Sequence, residues 1–124
     1  MPEFMDAIES ADLASGQMRK VEIEGHEFLV AKVGEEYLAS DDRCPHLHGD
    51  LSKGTLEGAI VTCPRHGSQF DLTDGSVVRW TDFSDAVRSV ASLMRHPRPL
   101  RTYEVRVADG RVMIGPERTP PNAD

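Results

Sequence analysis

The chain is poor in cysteine, with two among 124 residues, and has no run of apolar residues long enough to cross a bilayer. Met1 to Gln17 contains Glu3, Asp6, Glu9 and Asp12 but no Lys or Arg, so a secretory or twin-arginine leader, which needs basic residues, is not expected there. Basic charge is in deficit overall. Fourteen Lys and Arg face 21 Asp and Glu, and the formal net charge of −7 argues against a nucleic-acid partner, whose phosphates demand a basic face. A negative surface suits basic docking surfaces on protein partners, and it equally serves plain solubility. No internal repeat and no dinucleotide-type glycine motif occurs. What is present, 39% hydrophobic residues, fits one domain with a modest core. These features predict a soluble cytoplasmic protein that engages neither membrane nor nucleic acid.

Both cysteines lie in short loops, Cys44-Pro45-His46-Leu47-His48-Gly49 and Cys63-Pro64-Arg65-His66-Gly67-Ser68-Gln69-Phe70-Asp71. Each loop offers one thiolate and one imidazole, spaced C-x-H and then C-x-x-H, with sixteen residues between His46 and Cys63. Four such ligands suit a tetrahedral zinc, although zinc sites of that composition more often pair Cys with Cys and His with His along the chain. Ligands mixed within each loop suit a binuclear iron–sulfur cluster better, with both Cys on one iron and both His on the other, so that each loop spans the two metals. On either reading Cys44, His46, Cys63 and His66 are the candidate metal ligands. No cysteine then remains for a disulfide, which fits a reducing compartment. His48, close behind His46, reads as an exposed loop residue, and His26 and His96 as residues of a hairpin turn and a helix end.

The pattern C-P-H…G-x-L followed by C-P-x-H-G-x-x-F-D…G resembles the Rieske [2Fe–2S] family, in particular its small soluble ferredoxins, and the similarity runs from Met18 to about Ile114. The resemblance implies one [2Fe–2S] cluster per chain, with Cys44 and Cys63 as thiolate ligands and His46 and His66 as imidazole ligands. It also implies a third, proline-bearing loop that shields the cluster, matched here by Pro97 and Pro99. Gly49 and Gly67 are expected to permit tight backbone around the cluster, and Pro45 and Pro64 to stiffen the ligand loops. Two thiolates and two neutral imidazoles leave the oxidised centre electrically neutral, so it accepts an electron more readily than a four-thiolate centre; potentials span about −150 to +300 mV. Hydrogen bonds to the sulfurs raise the potential further, because they favour the more negative reduced state. High-potential relatives use a Ser and a Tyr hydroxyl of the second loop. Ser68 matches the first, but Phe70 stands in place of the second, and the loop-bridging disulfide of respiratory relatives has no cysteines to form it. The low end of the range is expected.

The fold class expected is all-β: a Rieske-like antiparallel β-sandwich or barrel with a small cluster-binding subdomain, plus one inserted amphipathic helix at about 82–96. Residues 1–115 read as a single domain with cluster-binding loops at 43–50 and 63–71, and 116–124 as a flexible tail. Phe4 to Ile8 alternates as a first edge strand. Met18 to Glu24 and Glu27 to Val33 form a hairpin about Gly25-His26, and Tyr37 to Ala39 leads into the first loop. Gly54 to Leu56 and Ala59 to Thr62 feed Cys63, a strand, an Asp-Gly turn and another strand occupy Asp71 to Val77, and Leu100 to Val107 pairs with Arg111 to Ile114 about Asp109-Gly110. Between Trp80 and Pro97, Phe83, Val87, Val90 and Met94 recur at helical spacing with Asp85, Arg88, Ser89 and Ser92 opposite. Such a helix covers one side of the barrel or contacts a partner.

The resemblance implies a one-electron carrier that takes electrons from an NAD(P)H-dependent flavoprotein reductase and delivers them to a terminal oxygenase, without catalysis of its own. A catalytic oxygenase would need a further domain with a 2-His-1-carboxylate iron site, for which the length leaves no room. The alternatives are a redox-sensing or assembly protein, and a zinc-stabilised interaction domain.

Overall fold

Residues 4–44, 49–64, 67–79 and 99–118 are described by the computed structural model, and they form ten strands. These are β1 (Met5–Glu9), β2 (Met18–Ile23), β3 (His26–Val33), β4 (Glu36–Asp41), β5 (Thr55–Glu57), β6 (Ile60–Thr62), β7 (Gln69–Asp71), β8 (Val77–Arg79), β9 (Thr102–Ala108) and β10 (Arg111–Glu117). Every pairing is antiparallel, in two sheets: six strands in the order β1-β10-β9-β4-β3-β2, and four in the order β5-β6-β7-β8. The edges β1 and β2 of the large sheet come into contact, so that it curls toward a barrel. The expected all-β architecture is present. Among the described residues no helix is long and apolar enough to cross a membrane.

The strand β3 organises the interior. Its run Phe28-Leu29-Val30-Ala31 is buried on both faces, and period-2 alternation sends the side chains into two different cores. Phe28 and Val30 join Ile8, Leu13, Ala39, Val112 and Ile114 inside the curled large sheet. Leu29 and Ala31 face the other way, toward Leu51, Val61, Phe70, Leu72, Leu100 and both cysteines. The small sheet is therefore packed on the outer side of β3.

Close backbone approach fastens the two sheets together. The Leu100 amide donates to the Gly75 carbonyl at 2.8 Å, and the Asp41 amide donates to the Arg101 carbonyl at 3.0 Å, so one short segment bonds to a small-sheet turn and to the end of β4. Gly75 has φ +83, and a Cβ there would run into the Leu100 carbonyl oxygen. Gly54 is limited by space alone: a Cβ would strike the Thr62 carbonyl oxygen and press on the Pro64 ring.

Several boundaries differ from the sequence reading. The strands expected within Asp71 to Val77 are β7 and β8, which flank that stretch, and residues 72–76 form the turn between them. The β2–β3 turn falls on Glu24 and Gly25, both with positive φ (51° and 84°), rather than on Gly25-His26, so His26 opens β3 opposite Ile23. The turn before β6 sits at Gly58-Ala59, one residue later than expected. Residues 116–118, expected in a flexible tail, belong to the sheet: β10 continues to Glu117, and the Arg118 amide donates to the Thr102 carbonyl at 2.8 Å. A shift of register between Ile114 and Glu117 lets Pro116 lie in the strand, since a bulge needs no ladder donor at that point. The helix expected at 82–96 lies outside the described residues, as do Trp80, His96 and Pro97.

Candidate metal centre

The two cysteine loops are built alike. Cys44 follows the end of β4, and its amide donates to the Gly49 carbonyl at 2.8 Å; Cys63 follows β6, and its amide donates to the Ser68 carbonyl at 2.7 Å. Each bond closes onto the fifth residue ahead. The residues just outside pair as well, Arg43 with Asp50 in an isolated bridge and Thr62 with Gln69 at the end of the β6–β7 ladder. Both loops are thus closed at their bases in the same way, one after β4 of the large sheet and the other after β6 of the small sheet. In the second, the Gly67 amide also donates to the Cys63 carbonyl at 3.1 Å, and Gly67 takes φ 76, which explains glycine there. Gly49 does a different job, since it is buried and its carbonyl closes the first loop.

Cys44 and Cys63 are 0% and 2% exposed and share one apolar core with Leu51, Val61, Phe70 and Leu72. Ser68 is buried beside them in sequence, and Phe70 is fully buried in β7 opposite Val61. Pro64 is exposed. His46, His66, Pro45 and His48 lie outside the described residues. The donor set fits an iron–sulfur group: two thiols are drawn from separate loops into a dry, apolar setting, and the residue that follows each by two or three positions carries an imidazole.

Two polar clusters near the first loop carry no motif that sequence reading could detect. Lys20 of β2 reaches Asp50 (3.0 Å), Asp42 and Glu27 (3.6 Å each), and Lys53 also meets Asp50 at 3.2 Å. The hydrogen bond to Asp50 holds the Lys20 ammonium above the ordinary lysine range, and the same bond, with that from Lys53, holds the Asp50 carboxyl below the ordinary carboxylate range. The second cluster joins His26 Nε2 (2.7 Å) and the Tyr103 hydroxyl (2.6 Å) to Asp41 Oδ1, with the His26 ring stacked on Phe28. Burial, and then the hydrogen bond to Asp41, pushes the Tyr103 phenol up. His26, expected in a turn without a role, is therefore a cross-strand partner. Lys20 and Asp42 share no sequence spacing; only the β2–β3–β4 register brings them together.

Comparison with known proteins bears on the same loops. A family model described as the Rieske [2Fe–2S] domain matches residues 3–104. The chain is 31% identical over 110 residues to ferredoxin CarAc of Metapseudomonas resinovorans, covering 88% of this chain and 90% of that protein. It is 29% identical over 112 residues to the ferredoxin component of the naphthalene 1,2-dioxygenase system of Pseudomonas putida, covering 90% and 94%. Among solved structures, a complex of reduced oxygenase and oxidised ferredoxin in carbazole 1,9a-dioxygenase contains a chain that superposes with a TM-score of 0.75 at 28% identity, covering 94% of this chain and 96% of that one. Motif, paired loops and overall likeness agree: the chain belongs to the Rieske [2Fe–2S] domain family, and its cofactor is one such cluster.

Proposed function

We propose that this protein is a one-electron carrier which accepts electrons from an NAD(P)H-dependent flavoprotein reductase and passes them to a terminal oxygenase, with its cluster held by Cys44, His46, Cys63 and His66. The bound cluster supplies one-electron redox chemistry. The chain's own residues hold and shelter it. Hairpin closure at Gly49 and Ser68 fixes the backbone of each cysteine, and Leu51, Val61, Phe70 and Leu72 keep water from the thiolates. The chain acts as one domain whose sheet runs on through Glu117, in the cytoplasm, and the net charge of −7 suits basic docking surfaces on both partners. The chain is an electron-transfer component rather than a catalyst. The observation that carries this reading is the convergence of two cysteines from two sheets into one buried core, through loops closed by the same bond.

Metal analysis and electron paramagnetic resonance test it. Freshly purified protein should hold about two irons and two acid-labile sulfides per chain, with a dithionite-reduced signal of lower average g than four-thiolate clusters give. Stoichiometric zinc without labile sulfide would overturn the cluster assignment and favour a zinc-stabilised interaction domain. Failure to turn over between a flavoprotein reductase and an oxygenase, with the cluster intact, would overturn the carrier role and favour a redox sensor.

A further inference from the structure

The mouths of the two cysteine loops differ in charge. At the second, Gln69 Nε2 donates to Thr62 Oγ1 at 3.2 Å, a neutral pair. At the first, carboxylate oxygens of Glu27, Asp42 and Asp50 lie within 4.8 Å of one another. Asp42 anchors this mouth: its carbonyl accepts the Leu51 amide and its Oδ1 the Ser52 amide, both at 2.7 Å, while its own amide donates to the Glu27 carbonyl at 3.1 Å. The residue is fully buried, and among the described residues Asp42 Oδ2 meets no hydrogen-bond donor at bonding distance. An isolated buried carboxylate is costly, and three close together repel. The Lys20 ammonium sits where a cation would, 3.0 Å from Asp50 and 3.6 Å from both Asp42 Oδ2 and Glu27.

We propose that Lys20 is a positioning residue for Cys44: its ammonium is a tethered internal cation that neutralises the Glu27–Asp42–Asp50 cage and so clamps the mouth of the first loop to β2. Asp50 lies on one side of that mouth and Asp42 on the other, and one cation on a paired strand ties both to the large sheet. Cys44 and the closing residues Gly49 and Asp50 then inherit the rigidity of the β2–β3 hairpin. Lys53 is mostly exposed and reaches only Asp50 among the described carboxylates, so it cannot replace Lys20. The inference rests on Cys44 being a cluster ligand.

The experiment is hydrogen exchange followed by mass spectrometry on cluster-loaded protein, reading the 42–54 segment, together with the rate of iron release to a chelator. Lys20→Ala should begin with the iron and sulfide of the wild type, yet exchange and release iron about tenfold faster, the scale of one charge-assisted bond. Lys20→Arg should retain protection. Calcium should restore protection in Lys20→Ala, because three freed carboxylates offer oxygen ligands to a divalent cation, and should leave the wild type unchanged. Unaltered exchange in Lys20→Ala would overturn the proposal, as would loosening that neither arginine nor calcium repairs, or loosening spread evenly over the chain. Should Lys20→Ala not fold, Asp50→Ala decides: it removes the acceptor of the 3.0 Å bond while leaving Lys20 opposite Asp42, and exchange at 42–54 must rise. A wild type lacking iron would overturn Cys44 as a cluster ligand, while the exchange comparison would still decide the clamp.

Discussion

Adding one hydroxyl at residue 70 tests the tuning of the centre. Phe70 is fully buried in β7, opposite Val61 and Val77, and shares its core with both cysteines, so the new oxygen of Phe70→Tyr enters space that water does not reach. Left without an acceptor, it should cost about 1–3 kcal/mol, or about 4 °C of melting temperature per kcal/mol for a chain of this size. Donated to a ligand sulfur, as the family resemblance implies, it bonds more strongly to the reduced state. A difference of about 0.5–1 kcal/mol between the two states corresponds to a rise of about 20–40 mV for one electron. Voltammetry and a thermal melt on the same sample separate the two outcomes. Ser68→Ala should move the potential the other way. A lowered melting temperature with unchanged potential in Phe70→Tyr, the cluster spectrum intact, would refute the hydrogen-bond account.

Gly75→Ala should destabilise the protein by about 2 kcal/mol or more, since a Cβ at positive φ meets the Leu100 carbonyl, and chemical denaturation will show it as a lower midpoint. Cys63→Ser should lose labile sulfide and visible colour, while far-ultraviolet dichroism still reports β structure if the fold outlasts its cofactor. Tyr103 should ionise on the alkaline side of an ordinary phenol, so its contribution to stability is complete below the ordinary phenol pKa and disappears as pH rises through the raised value. Phenolate absorbance should therefore show a late step that Tyr103→Phe abolishes.

The chemistry of this protein was legible in one dimension because ligand type and spacing are local. C-P-H and C-P-x-H-G state which atoms can bind a soft metal before any folding is considered. Hairpins were legible for the same reason: Asp109-Gly110 is a short-range signal, and β9 and β10 meet there. Boundaries were not, since Pro116 reads as a strand breaker until a register shift in the ladder excuses its missing amide. Nor could the sequence say that Phe28-Leu29-Val30-Ala31 feeds two cores, because an apolar run carries no label for what covers each face. The equivalence of the two loops was hidden behind unequal spacings, C-x-H against C-x-x-H, and emerged from backbone closure at Gly49 and Ser68. Lys20, Glu27, Asp42 and Asp50 are scattered over thirty positions, with no period that links them. Only pairing of β2 with β3 and of β3 with β4 sets one ammonium among three carboxylates, because charge neutralisation acts through space and leaves no spacing in the chain.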